Sequence, residues 1–153
     1  MERNTVFDVA NFFLSRSIEN TDYAITHLKL QKLVYYAQAW FVTIYPDRRL
    51  FNEEIEAWVH GPVCRELYYD YRGYGYDEIP PLPFPYNQGF EEYELEVLET
   101  VWEAYGHLDG KTLEALTHSE KPWLDVRKGY HEDEPCANVI STDAMTEFYS
   151  KNN

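Results

Sequence analysis

Cysteine is scarce: the 153 residues hold only Cys64 and Cys136, far apart and with no second ligand pair beside either. That spacing excludes a disulfide framework and a zinc ribbon, and a reducing cytoplasm is the expected compartment. Basic side chains are scarce too, 13 Lys and Arg against 27 Asp and Glu, for a net charge of −14 at neutral pH. Such a field repels phosphate backbones and anionic lipid, so direct DNA binding is not expected. It serves solubility, and it also attracts a basic protein partner. A long apolar run is missing as well. The nearest, Val6 to Leu14, is interrupted by Asp8 and Asn11, so neither a signal peptide nor a membrane span is expected.

What is present suits a folded chain. Hydrophobic residues make up 44% and charged residues 26%, enough to bury a core within one domain spanning residues 1–153. Among 14 tyrosines, Tyr68, Tyr69, Tyr71, Tyr74 and Tyr76 crowd into one stretch. An apolar ring with a polar tip suits both the half-buried edge of a core and a protein-binding surface.

Hydrophobic spacing predicts mostly helix. Val6, Val9, Ala10, Phe13 and Leu14 share a face over Val6 to Arg16, opened by the capping pair Thr5 and Asp8. From His27 to Tyr45, behind a start signal at Thr26, the stripe Leu30, Leu33, Val34, Ala37, Phe41 and Ile44 is joined by Tyr35, Tyr36, Trp40 and Val42. A helix apolar around most of its cylinder belongs at the centre of its domain, and Pro46 ends it. Ile55 to His60 reads as a short strand or extended segment. Gly61 and Pro62 read as a turn into a helix with Pro at its first position, with Val63, Leu67, Tyr68 and Tyr71 on its apolar face. Cys64 is then a small buried residue on that helix.

Pro80, Pro81, Pro83 and Pro85 exclude helix between Ile79 and Gly89 and predict an extended connector. Beyond it, Leu95, Leu98, Trp102 and Tyr105 line one face of a helix and Glu92, Glu96, Glu99 and Glu103 another, with Gly106 as the stop. Shorter helices are predicted over Thr112 to Thr117 behind Asp109, over Pro122 to Lys128 and over Asp143 to Tyr149. The fold class is mainly α, α+β at most: a compact helical domain around a central apolar helix with a short strand.

Catalytic signatures are missing. Gly110, Lys111 and Thr112 resemble the end of a phosphate-binding loop, but the preceding glycine, Gly106, has the wrong spacing and follows a helix. The five histidines show no metal-binding spacing, and the His131, Glu132, Asp133, Glu134 run reads as a solvated loop. No metal and no cofactor are expected. Cys64 near His60 lacks an evident third group, so no enzyme is expected. The Glu92, Glu96, Glu99, Glu103 row has no Lys at the spacing that would neutralise it; it reads as a solvated face or as a strip for a basic partner.

Two stretches carry a resemblance. Ile25 to Gln38, with the string LKLQKLVYYAQ, and Glu53 to Val63, with EAWVHGPV, are similar to the two signature blocks of the Panacea domain, the family of SocA-like antitoxins that includes many phage-associated proteins. The likeness continues through Leu67, Tyr68 and Gly75 to the string Leu116 to Glu120, Pro122 and Trp123, and to Ile140, Ser141 and Phe148. It implies neutralisation of a cognate toxin by direct protein binding, with delivery to a protease as a variant. No fused DNA-binding domain is expected.

The motif blocks make Gln31, Lys32, Tyr36, Trp58, Gly61 and Pro62 candidate partner-binding residues, beside the Glu row. A charge at Lys32, inside the most apolar helix, must snorkel, pair or serve a site. Gly61 and Pro62 also suit a purely structural turn against that helix. Two other classes of function remain open: a phage or prophage protein that mimics DNA charge to inhibit a host enzyme, motivated by the acidity and the Glu row, and a hydrolase or transferase built on His60, Cys64 or His118, which requires those side chains to converge.

Overall fold

In the computed structural model, which describes residues 4–151, Thr26 opens the helix around which the other elements pack, its hydroxyl accepting from the Lys29 N–H. That helix, α2 (His27–Ile44), follows α1 (Val6–Arg16). In α1, Thr5 and Asp8 form the capping box that their spacing predicts. Leu30, Leu33, Tyr35, Tyr36, Ala37 and Phe41 of α2 are buried at the centre. Against α2 lie α1, α4 (Glu92–Tyr105), α5 (Gly110–His118) and α7 (Thr142–Lys151), together with a small sheet. Short helices α3 (Arg65–Tyr71) and α6 (Lys121–Val126) complete the order. The fold is mainly α with some β, as the periodicity predicts.

The sheet departs from expectation. Strand β1 (Ile55–Trp58) pairs antiparallel with β2 (Gly61–Cys64), Trp58 opposite Gly61 and Ile55 opposite Cys64, and β3 (Val139–Ile140) lines the other side of β1. The turn therefore falls at Val59 and His60. Gly61, Pro62 and Val63 are strand residues, and Cys64 ends β2 as the N-cap of α3. Proline is tolerated because β2 is an edge strand, with order β2-β1-β3, where a missing N–H breaks no ladder bond on the open side.

Two glutamines hold extended segments to α2. Gln38 donates to the Phe51 carbonyl (2.7 Å) and accepts from the Leu50 N–H (2.8 Å). Gln31, two turns earlier, does the same for the amide and carbonyl of Cys64, at 2.9 and 3.3 Å. Each side-chain amide satisfies a buried donor and a buried acceptor that no strand pairs. Gln38→Leu is therefore expected to cost about 2–4 kcal/mol in urea unfolding, because both backbone groups lose their partner in the core.

Candidate functional site

A cleft of about 770 Å³ opens between the first turns of α2, the β1–β2 hairpin, α3 and the segment Pro135 to Ala137. Gln31 and Lys32 supply its floor and Trp58 a wall. Gln31 is locked by its Cys64 contacts, and its remaining amide hydrogen points to His27 Nε2 at 3.0 Å. His27 accepts that bond as a neutral ring: burial first, then the neighbouring Lys32 charge, lower its pKa to about 4.

Lys32 has no exposed surface, yet its side chain borders the cleft. Its Nζ donates to the Pro62 carbonyl at 3.1 Å. Burial depresses its pKa to about 7, against a smaller opposite pull from Glu114. Gly61 has φ +106°, and a Cβ there would stand 2.6 Å from Lys32 Cε and 2.9 Å from Thr117 Oγ1. The Gly-Pro pair thus accommodates the lysine: glycine lets the strand pass over its side chain, and proline presents the carbonyl that receives its amine.

Glu56 sets the Trp58 wall by accepting from the indole Nε1 (2.8 Å) and from Arg65 at Nη2 (2.8 Å) and Nε (3.2 Å). Tyr68 packs against Trp58 with ring centroids 4.9 Å apart. Tyr76, which lines the cleft, is 95% exposed, and Tyr69 and Tyr74 of the same stretch are exposed as well. The fourth side of the cleft depends on Arg127, a buried residue that sequence reasoning missed. It donates to the Ala57 carbonyl (2.8 Å) and to carbonyls of His131 and Glu132 (2.9 and 3.3 Å), tying the acidic loop to the sheet. Since every acceptor is a backbone carbonyl, no residue pattern signals it. The His131 to Glu134 run serves here through its main chain.

Other candidates lie elsewhere. Tyr36 is fully buried, stacked on Tyr105 at 4.2 Å, and its hydroxyl donates to Glu120 Oε1 at 2.8 Å beside that of Tyr149. It offers no surface to a partner. Glu92, Glu96 and Glu103 are exposed on α4 and line no part of the cleft, while Glu99 pairs with Arg16 of α1, accepting from Nη1 at 2.8 Å. The compensating cation comes from another helix, which spacing along α4 alone does not reveal.

The three groups of the enzyme reading have separate contacts. His60 is exposed and bonds Glu114 (3.0 Å), and His118 stacks on Trp123 at 4.0 Å. Cys64 is buried and its thiol is pushed up to about 12, chiefly by burial. Among the described residues, no hydrogen bond joins these three, and no group of three His, Cys, Asp or Glu is placed to hold a metal. Among them, too, no helix is long and apolar enough to cross a membrane.

The family model described as antitoxin SocA-like, Panacea domain, matches residues 30–124. The chain belongs to that family. Its Panacea segment runs from the first turn of α2 into α6 and so contains Gln31, Lys32, Trp58, Gly61 and Pro62. Membership carries an antitoxin-type role. No curated protein and no solved structure matches the chain. Helix α7 lies beyond the Panacea match, yet Tyr149 on it meets the Tyr35 hydroxyl at 3.0 Å and Glu120 at 2.8 Å, so α7 completes the core of this member.

Proposed function

We propose that this chain neutralises a cognate toxin in the cytoplasm by direct protein binding, through the cleft that the two motif blocks build, and that it acts as a binding protein and not as an enzyme. Family membership carries the reading. The cleft supports it: Trp58, Tyr68 and the exposed Tyr76 line it, and aromatic side chains are the residues that dominate protein interfaces. Delivery of the bound toxin to a protease is the variant that the same contact permits.

The test is growth of cells expressing the neighbouring gene alone and together with this chain. Toxicity that disappears on co-expression is expected, with the two proteins co-purifying. Repeating the experiment in protease-deficient cells separates blocking, which persists there, from delivery, which does not. A harmless neighbour removes the reading. The exposed stripe Glu92, Glu96 and Glu103 favours a second one, a phage protein that mimics DNA charge. It requires that neutralising the stripe together with Glu99 abolish activity while Lys32→Ala does not.

A further inference from the structure

We infer that the cleft receives an acidic segment of the partner protein, one that carries an aromatic or aliphatic side chain against Trp58 and Tyr68. This rests on the cleft being the toxin-binding face, and it reverses the sign that net charge alone suggests. In a chain of charge −14, the cleft is lined by Lys32, Arg65, Arg72, Lys111 and His60 and, among the described residues, by no Asp or Glu.

The carboxylates just behind that lining are already engaged. Glu56 holds Arg65 and the Trp58 indole, and Glu114 holds His60 (3.0 Å) and Lys111 (3.4 Å). Arg72 and Lys32 have no carboxylate partner among the described residues; Arg72 lies over the Tyr69 ring at 5.0 Å, and Lys32 has the Pro62 carbonyl.

An ammonium carries three donors, and a buried one with a single acceptor is incompletely satisfied. A carboxylate entering the cleft meets the exposed Arg72 and Lys111, with the buried Lys32 charge behind them, whereas a basic segment would add a like charge to all three. Volume limits the occupant to a few side chains: about 770 Å³ admits a segment and not a folded domain.

The experiment is selection of a random peptide display library on the full chain, in parallel with an Arg72→Glu, Lys111→Glu form. Both substituted residues are exposed, and circular dichroism melting checks that the fold is kept. Selected peptides are expected to be rich in Asp and Glu beside Trp, Phe or Leu, and to bind the charge-reversed chain about tenfold or more weakly. Enrichment of Lys and Arg, indifference to the reversal, or no enrichment overturns the inference. Toxin co-expression with the reversed chain separates the two failures. Retained neutralisation alongside a failed selection discards the acidic segment and leaves the antitoxin reading standing, while a harmless neighbour removes that reading whatever the peptides show.

Discussion

Gly61→Ala is expected to destabilise the protein by about 2–6 kcal/mol, the sum of a strained backbone and an overfilled core. The backbone at φ +106° lies where residues with a Cβ are strained. The new methyl would also meet Lys32 Cε at 2.6 Å and Thr117 Oγ1 at 2.9 Å. Lysine is usually flexible enough to give way, but Lys32 is held by its bond to the Pro62 carbonyl at 3.1 Å, which such a shift would break. For a small domain with about 5–15 kcal/mol in all, that loss is a large share, and urea unfolding measures it. Adding Lys32→Ala to Gly61→Ala should restore part of the stability, since the close contact goes and the strained φ stays. Full restoration would show that strain contributes nothing, and none would show that the lysine is not the obstacle.

The second large effect is one of pH. Lys32 titrates near 7 when folded and near 10.5 when free, because burial penalises its charged form. Between those values the unfolded chain binds a proton that the folded chain does not. Stability contributed by this group therefore rises with pH, by about 1.4 kcal/mol per unit across that window, and falls away as pH drops from 10.5 to 7, below which both states hold the proton. Lys32→Met removes the titration. The wild-type chain should gain on the variant steadily from pH 7 to pH 10 in urea unfolding at matched ionic strength, while any slope below about pH 6 belongs to His27, whose pKa the Lys32 charge helps lower. Loss of the Pro62 hydrogen bond offsets the variant's whole curve without changing its slope. Comparison of the two chains cancels Lys29, whose pKa is lowered to about 8 by burial against the pull of Asp109 and Asp22. A pH-independent difference would mean that water reaches Lys32 and keeps it charged.

Helices were the legible part of this fold, because each carries its own evidence. An apolar perimeter marks α2 as central, and Thr5 with Asp8, Thr26 and Asp109 mark starts through side chains that cap backbone amides a few residues away. The hairpin was half legible. Ile55 to Trp58 has the composition of a strand, but Gly61-Pro62 has the local character of a turn, and only pairing with Ala57 and Trp58 makes it a strand. Two-residue β3 carries no periodicity at all; it exists because Ile140 and Val139 meet Ile55 and Glu56.

The site divides in the same way. Gln31 and Lys32 stood out as polar side chains in an apolar helix, with Lys32 left to snorkel, pair or serve a site; their burial is a tertiary result. Where they point is another, since the Cys64 amide and the Pro62 carbonyl arrive from about thirty residues away. Tyr36 reads as a binding residue from its motif and turns out to be core, because Glu120, at the start of α6, comes in to take its hydroxyl. Charge shows the contrast most clearly. Composition and periodicity alone determined that this is an acidic, mainly helical chain with a central apolar helix, since those are sums and periods along the sequence. Tertiary structure alone decided that Lys32, Arg65, Arg72 and Lys111 surround one cleft, because electrostatic potential at a site depends on which side chains are neighbours in space and not on how many of each the chain contains.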